Sequence, residues 1–499
     1  MTTTEAPPAR PLRRSEPAPF RAAGDARSRV GVLRHQRPRI AFALLVSAQF
    51  VVMLDTSIVN VALPSIQSDL GLSPAALTWV VNTYVLAFGG LLLLSGRAAD
   101  LFGRRRMFMA GSFLFTVGTL LAAAAGNEWM LLAGRIIQGA GAAALSPAAM
   151  SLLLLTFQGQ ARAKAMSIWG AASGAGGATG VFVGGTLTGA FGWSSVFLVT
   201  VPVSFASVLL ARRVLDEPGT VVRHRFDWAG AATVTGAVIA LVHACFGAAA
   251  DDWTSPEVVA GFPCFVVLTA AFIFIERRVA EPLVPLDLFA SRILSTGVTL
   301  ALLGGAARAS SFVLVALYLQ QALHLAPREA GLAMLPTSLA GVAVSLVLLA
   351  RVVRFLGPQR TLVVGLVVLA AGHIWLAYAP RHAGYLVAVL PGLLLLATGV
   401  ALSFTPTTMV IAAAVPDTHT GLASGMAGSA SQVGAALGTA TFIAIGMAAS
   451  GPSTVVLRPS GFTAAFTAAA LVSLVTAALG CTIASQGSPG PLDTPAAVR

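Results

Sequence analysis

The sequence predicts an all-α polytopic membrane protein in which two six-helix bundles flank two inserted helices, giving fourteen spans. Hydrophobic residues make up 56% of the 499 positions and charged residues only 10%, whereas a soluble domain carries roughly 25% charged residues. The charges fall in short clusters separated by apolar runs of about 20 residues, the length at which an α-helix crosses ~30 Å of hydrocarbon. A sequence repeat divides these runs into two halves.

The predicted spans are apolar runs bounded by charged residues, Pro or Gly. They cover residues 40–63, 77–96, 107–126, 129–155, 165–190, 194–211, 229–248, 257–275, 294–322, 330–350, 361–378, 384–412, 420–449 and 461–484. The fifth and sixth spans are separated only by residues 191–193, which include Gly192 and Trp193. An even number of spans places both termini on the same side of the membrane.

The distribution of basic residues predicts that this side is the cytoplasm. Of the 31 Lys and Arg residues, 26 lie in the tails and in the loops on that side, and only Arg328, Arg381 and Arg458 lie in the opposite loops. Loops rich in Lys and Arg stay in the cytoplasm. The net charge of +12 lies between spans and not along one face, so it favours contact with anionic lipids over nucleic acid. Lys164 is the only lysine, which is typical of a high-GC bacterium, and we expect a multi-pass protein of the bacterial cytoplasmic membrane.

An internal repeat predicts the domain organisation. The loop at 97–106 recurs at 351–360, and each copy follows the second span of a six-span unit. Such repeats are typical of transporters with a site between two halves. The predicted parts are a disordered basic tail, an N-terminal bundle, an inserted pair with flanking loops, a C-terminal bundle and a second cytoplasmic tail: 1–39, 40–212, 213–280, 281–484 and 485–499.

Enzymatic and metal-binding functions are not indicated. The sequence has no Gly-x-x-x-x-Gly-Lys phosphate loop and no His-Glu-x-x-His metal helix. Cys245, Cys264 and Cys481 lie far apart in or beside apolar runs, without the spacing of a metal site. We therefore expect no enzyme activity, no metal and no cofactor.

Asp55 is the strongest candidate for a proton-coupling residue. It is the only acidic residue deep inside any span, and a carboxylate in hydrocarbon is costly unless it is protonated or paired. Arg135 of the fourth span lies at a similar depth, and Gln138 follows on the same helical face, so the guanidinium can alternate between the carboxylate and the amide. The alternative is a permanent ion pair that only holds the two spans together.

Arg308 lies near the middle of the ninth span. We expect it to line one wall of a substrate cavity together with Ser311 and Phe312. Its charge requires compensation by Asp55, backbone carbonyls, water or an anionic substrate; the alternative is a water-solvated structural role. Polar and aromatic residues of the first two spans complete the predicted cavity, although ordinary packing is the alternative for them. These residues are Gln49, Thr56, Asn60, Trp79, Asn82 and Tyr84, and Gln138 of the fourth span is added to them. His243 and His373 are either proton relays or packing residues.

Four groups of motifs resemble one known family. The first span ends in Leu54-Asp55-Thr56-Ser57-Ile58-Val59-Asn60-Val61-Ala62-Leu63-Pro64, which is similar to an LDxTIVNVALP signature. The loop from Gly96 to Arg106 and the segment from Arg135 to Gly141 resemble a cytoplasmic loop motif and a fourth-helix motif. The second half adds Tyr318-Leu319-Gln320, Ala330-Gly331 with Leu335-Pro336, and Gly421-Leu422-Ala423-Ser424-Gly425. The chain thus resembles the major facilitator superfamily, specifically its fourteen-span drug:proton antiporters, over nearly all of 40–484.

The resemblance implies a major facilitator fold and a proton-coupled secondary transporter, a monomer that exports drugs, antibiotics or other small amphipathic molecules by alternating access. It also implies that the loop motif forms a cytoplasmic gate, although the alternative is that its arginines only hold the loop inside. The residues are Gly96, Asp100, Gly103, Arg104 and, in the second copy, Arg354. Because Arg354 stands where the first copy has Asp100, we expect an asymmetric clamp.

The fifth span departs from the family pattern. It keeps Gly176, Gly180, Gly184 and Gly185, which favour close helix packing, but the prolines of the antiporter motif are absent. This absence favours the alternative of a proton symporter or facilitator, and a non-transporting membrane sensor is a further alternative. Since the cavity offers one carboxylate and adds Arg308, we expect neutral or anionic substrates.

Overall fold

The computed structural model describes residues 38–217, 227–250, 255–279, 281–379, 384–451 and 457–484. Apart from Pro38 and Arg39, the two predicted tails, 1–39 and 485–499, therefore lie outside the described residues.

The described residues form sixteen α-helices. The first seven are α1 Pro38–Leu70, α2 Pro74–Phe102, α3 Arg104–Ala123, α4 Glu128–Thr156, α5 Gly159–Phe191, α6 Ser194–Leu198 and α7 Val201–Val214. The inserted pair is α8 Trp228–Ala250 and α9 Pro256–Glu276. The last seven are α10 Arg292–Leu317, α11 Pro327–Ala343, α12 Ala350–Tyr378, α13 Gly384–Ala388, α14 Leu390–Ala413, α15 Thr420–Ser450 and α16 Pro459–Ala484. Short 3-10 segments cover Leu286–Ala290 and Asp417–His419, and π-helical segments cover Tyr318–Ala322 and Val344–Leu349.

Twelve stretches of the described chain are long and apolar enough to cross a membrane. One of them, Glu329–Tyr378, is 50 residues long and contains both α11 and α12, with a non-helical backbone at Gly357. The 33-residue α5 is not among the twelve. The predicted all-helical membrane fold is confirmed, and the count of fourteen spans stays a prediction.

Local sequence signals explain where several helices begin and end. The side chains of Ser73 and Asn127 accept hydrogen bonds from the first-turn amides of α2 and α4, as good N-cap residues do. Gly103 joins α2 to α3 with φ 104°, and Gly192 follows α5 with φ 80°. Both angles favour glycine because a side chain would be strained there.

Glycines bring equivalent helices together in the two halves. In the first half, α3 meets α4 where a Cβ atom on Gly118 would lie 2.8 Å from the Cα atom of Gln138. In the second half, α12 meets α14 where a Cβ atom on Gly399 would lie 2.6 Å from the Cα atom of Leu369. These pairs are the third and fourth long helices of each half, so the internal repeat has a counterpart in the packing.

The inserted pair packs unevenly. Helix α8 contacts α2 and α15 through an apolar cluster that includes Leu86, Val242 and Ala436. Helix α9 packs on α8 and presents exposed apolar side chains such as Val266 and Phe274. Exposed apolar residues on a membrane helix are suited to contact with lipid.

Candidate functional site

A fully buried ion pair joins α1 to α4. The guanidinium Nη1 of Arg135 donates to the Oδ2 atom of Asp55 at 2.8 Å, and the two residues are 1% and 0% exposed. Gln138 completes a triangle, because its Nε2 atom donates to Asp55 Oδ1 at 2.7 Å and its Oε1 atom accepts from Arg135 Nη1 at 2.6 Å. The structure therefore brings together the three residues that the sequence predicted as a unit.

Arg135 has further partners that do not depend on Asp55. Its Nε atom donates to the backbone carbonyl of Val80 at 3.1 Å. The guanidinium carbon lies 4.2 Å from the ring centroid of Tyr84 and 5.9 Å from that of Phe197, positions suited to cation–π contact. Protonation of Asp55 would thus leave the arginine with an amide, a carbonyl and an aromatic ring as partners.

Close helix contacts position this network. A Cβ atom on Gly139 would lie 2.6 Å from the carbonyl oxygen of Tyr84, so the missing side chain lets α2 lie directly against α4. On the other side α3 approaches closely enough for the Thr119 hydroxyl to accept from Gln138 at 2.9 Å. Thr119 and the Val80 carbonyl were not predicted from the sequence, since a hydroxyl in an apolar helix and a backbone oxygen carry no distinctive pattern.

Gln49, one turn and a half before Asp55 on α1, links three helices. Its Nε2 atom donates to the hydroxyl of Ser173 on α5, and its Oε1 atom accepts from the hydroxyl of Ser146 on α4, both at 3.0 Å. The side chain is 4% exposed. Gln49 thus lies where α1, α4 and α5 meet.

The other predicted cavity residues of α1 and α2 differ in their exposure and in their contacts. Tyr84, like Gln138, is buried in the ion-pair network. Thr56 and Asn60 are exposed and donate to carbonyls of their own helix, whereas Asn82 is half-buried. Trp79 packs with its ring 5.3 Å from that of His243, so it contacts the inserted helix α8.

Arg308 is buried in the second half and has no charged partner among the described residues. The side chain is 5% exposed, and within the described chain neither Nη1 nor Nη2 has a hydrogen-bond partner. The ring of Phe404 lies 5.8 Å from the guanidinium carbon. Because Asp55 is already bonded to Arg135 and Gln138, it is not the partner of Arg308.

Two residues near Arg308 on α10 have separate environments. The hydroxyl of Ser311 donates to the carbonyl of Ala307 and lies 2.8 Å from Nε2 of His373 on α12. Phe312 is 41% exposed. His373 is fully buried, so it lies beside the predicted cavity wall as a partner of Ser311.

Asp100 ties the two halves together at the end of the molecule predicted to face the cytoplasm. Its carboxylate accepts from the backbone amides of Gly421 and Leu422, at 2.9 and 2.7 Å, in the first turn of α15. It also accepts from Arg104 at 2.8 Å. A helix N-terminus offers unpaired N–H groups and a positive dipole end, so a carboxylate is well suited to this contact.

Arg104 and Gly96 extend this contact. The Nη2 atom of Arg104 donates to the backbone carbonyl of Asp417 at 2.6 Å. A Cβ atom on Gly96 would lie 3.0 Å from the Cα atom of Gly425, so α2 and α15 touch along their backbones. The structure thus has its two halves closed against each other at this end. Neither Asp417 nor the α15 amides could be foreseen as partners, since the contact spans more than 300 residues.

The other predicted gate residues lie at a turn and on the surface, and most of the predicted packing glycines lie between α5 and α1. Gly103 forms the tight turn, and Arg354 is exposed with its guanidinium 5.0 Å from the ring of Phe355 on its own helix. On α5, Cβ atoms on Gly176, Gly180 and Gly184 would each lie within 3.0 Å of α1 atoms. Gly185 has ordinary space, with the nearest atom 3.7 Å away.

One protein-family model matches the chain, over two overlapping ranges. A family model described as the Major Facilitator Superfamily matches residues 45–439 and, in a second match, 296–496. The two matches overlap and together extend over nearly all of the described chain.

Several curated proteins are similar over most of their length. The puromycin resistance protein pur8 of Streptomyces alboniger is 38% identical over 402 residues, which are 80% of this chain and 79% of that protein. The cephamycin export protein CmcT of Amycolatopsis lactamdurans is 34% identical over 409 residues, 81% and 84% of the two chains. The multidrug resistance protein Stp of Mycobacterium tuberculosis is 33% identical over 392 residues, 78% and 72% of the two chains.

Two solved structures share the fold. The human organic anion transporter MFSD10 superposes with a TM-score of 0.66 at 14% identity, covering 89% of this chain and all of that one. The proton:xylose symporter XylE superposes with a TM-score of 0.61 at 16% identity, covering 89% and 95%. At these identities the likeness concerns the fold alone.

Proposed function

The chain belongs to the major facilitator superfamily, and on that premise we propose that it is a proton-coupled exporter of small amphipathic molecules such as antibiotics. The observation that carries the proposal is the buried network of Asp55, Arg135 and Gln138, a titratable group inside an apolar bundle. The names of the relatives, which include export and resistance proteins, support a small-molecule substrate and outward transport.

The network supports a switch because protonation can neutralise Asp55, while Arg135 stays charged and has other partners. A proton on Asp55 removes the charge that holds α1 to α4, while Arg135 keeps Gln138, the Val80 carbonyl and the Tyr84 ring. The ion pair can therefore open without leaving the arginine unsatisfied, which a buried charge tolerates poorly. In this proposal the carboxylate takes its proton from the outer side and releases it to the cytoplasm.

Helix packing offers a route from this site to the interface between the halves. Helix α1 lies against the glycines of α5, and α5 reaches the second half where a Cβ atom on Gly170 would lie 2.7 Å from the Thr405 hydroxyl. A shift of α1 after protonation would therefore displace α5 against α14. Opening the contact between Asp100 and α15 would then expose the central cavity to the cytoplasm, as alternating access requires.

The substrate class follows from the charges of the proposed cavity. Lipophilic cations would meet the unpaired charge of Arg308 and, deep inside the described spans, no carboxylate other than Asp55. We therefore propose neutral or anionic substrates. We also propose fourteen spans in two six-helix bundles with an inserted pair, a monomer in the bacterial cytoplasmic membrane with cytoplasmic termini, and the proton gradient as energy source in place of a cofactor.

Transport into proteoliposomes with an imposed pH gradient tests the proposal. The probe is a cephamycin, an antibiotic that carries a carboxylate. Vesicles that are acidic on the side of the predicted outer face should accumulate this substrate on that side, and Asp55→Asn should abolish accumulation while still allowing downhill exchange. An equal accumulation by Asp55→Asn would remove the proton role from this residue.

A second candidate, a proton symporter or facilitator of the same fold, is favoured by one observation. Helix α5 runs for 33 residues without proline, so it lacks the bend that proline imposes. A symporter would accumulate substrate on the side to which protons flow, and a facilitator would not accumulate it at all.

A further inference from the structure

Two buried carboxylates converge where the inserted pair meets the first half. Asp227 precedes α8, Glu276 ends α9, and they are 8% and 4% exposed. A Cβ atom on Gly230 would lie 2.3 Å from Asp227 Oδ2 and 2.7 Å from Glu276 Oε1. These two oxygens are therefore no farther apart than the two distances combined, about 5 Å.

The converging oxygens are the unpaired ones. The second oxygen of each carboxylate has a partner, since Asp227 Oδ1 accepts from the Gly230 amide at 2.8 Å and Glu276 Oε2 accepts from the Val284 amide at 3.1 Å. Asp227 Oδ2 and Glu276 Oε1 have no hydrogen-bond partner in the described chain, and no described cation lies within ion-pair distance of either group. Two like charges at this separation, away from water, disfavour ionisation of both.

We propose that Asp227 and Glu276 form a second proton-binding site, at the cytoplasmic end of the inserted helix pair, in which one proton is held between Oδ2 and Oε1. The proton comes from and returns to the cytoplasm, and its loss changes the charge of the pair from −1 to −2. The site is separate from Asp55, because it lies at the start of α8 and the end of α9 and not between α1 and α4.

The loop motif of the first half contributes a positive charge that acts on Glu276. Arg97 on α2 interacts electrostatically with Glu276 and with Asp100, its Nη2 atom donates to the Pro282 carbonyl at 3.4 Å, and its Nε atom has no partner in the described chain. Arg97 is thus shared between the carboxylate pair and the residue that clamps α15. Among the described residues, the other charged or titratable groups facing Arg97 or adjoining the pair are Arg277, Arg278, Glu281 and His419.

This arrangement links the proton on the pair to the closed gate. When the pair loses its proton, its larger negative charge competes with Asp100 for Arg97, so the contact of Asp100 with α15 changes with cytoplasmic pH. This consequence for the gate rests on the alternating access proposed above, whereas the proton site does not depend on it.

Infrared difference spectroscopy tests the site without any transported substrate. The purified full chain, in an Asp55→Asn background that removes the carboxyl of the α1–α4 network, is titrated between about pH 5 and about pH 9, a range above the ordinary carboxyl pKa values. We expect a protonated-carboxyl C=O band that is lost with Glu276→Gln and with Asp227→Asn. Asp287→Asn, which removes an exposed acid from the neighbouring 3-10 segment, is the matched control and should keep the band.

Gly230→Ala keeps both carboxyls and provides a second test if a charge variant does not fold. Its methyl group forces the two oxygens apart, so the pH at which the band appears should shift. The proposal is overturned if the band is unchanged in Glu276→Gln and Asp227→Asn, if Gly230→Ala leaves its pH dependence unaltered, or if the band follows sodium concentration instead of pH. Because no substrate is present, these results leave the export proposal untouched.

Discussion

Replacing both members of the buried ion pair should restore stability but not transport. In Asp55→Asn the guanidinium of Arg135 loses its charged partner, and breaking a buried pair costs about 3–5 kcal/mol. We expect the lower end of that range, because Arg135 keeps the Gln138 amide, the Val80 carbonyl and the Tyr84 ring. Arg135→Gln leaves the Asp55 carboxylate with Gln138 as its remaining side-chain partner and should cost at least as much.

The double variant removes both charges, so its loss of stability should be smaller than the sum of the two single losses. The expected coupling energy is about 1–3 kcal/mol, within the range for contacting residues, and reversible unfolding in mixed detergent micelles measures it. The same double variant should remain unable to drive uphill transport, since the proton acceptor is gone. Additive losses would refute the energetic role of the pair, and restored uphill transport would show that the pair only holds α1 to α4.

Three further predictions concern other parts of the structure. Gly180→Ala should lower stability by about 1–3 kcal/mol through overpacking, because its Cβ atom would lie 2.8 Å from the Leu54 carbonyl oxygen; Gly177→Ala, with no atom within 4 Å, should be neutral in the same thermal unfolding assay. Asp100→Asn should lose charge-assisted hydrogen bonds worth about 1.5–3 kcal/mol each, and it should therefore speed chemical labelling of a Leu422→Cys reporter in a cysteine-free background. Asp216→Asn, at an exposed site, is the control and should not change the labelling rate. An unchanged rate in Asp100→Asn would remove Asp100 from the gate. Arg308→Ala should reduce transport of an anionic compound about tenfold or more, one lost charged contact, with little effect on a neutral analogue; equal effects on both compounds would contradict the proposed anion preference.

The sequence was sufficient to predict the helical membrane fold and the pairing of Asp55 with Arg135. Apolar runs of spanning length leave few alternatives to helices in lipid, and a lone carboxylate among them is costly unless it is protonated or paired with a cation. The same argument predicted Gln138, because it lies three residues after Arg135 on one helical face.

The sequence was not sufficient for contacts between distant elements. Arg104 donates to the backbone carbonyl of Asp417, and Asp100 accepts from backbone amides of α15. These contacts could not be predicted because backbone groups are the same at every position and leave no pattern in the sequence. Glu276 and Asp227 stand at the ends of predicted spans, where acidic residues are expected to be solvated. In the structure the 281–284 segment packs against the inserted pair, with Leu283 and Val284 almost completely buried and the Val284 amide bonded to Glu276.

The direction of proton movement during export tests the central claim most directly. Inside-out vesicles with an acidic lumen and a luminal pH dye should report alkalinisation of the lumen when substrate is added outside, because each exported molecule enters the lumen as protons leave it. The response should be absent in Asp55→Asn. Acidification of the lumen on substrate addition, or substrate entry without any pH change, would contradict proton-coupled export through Asp55.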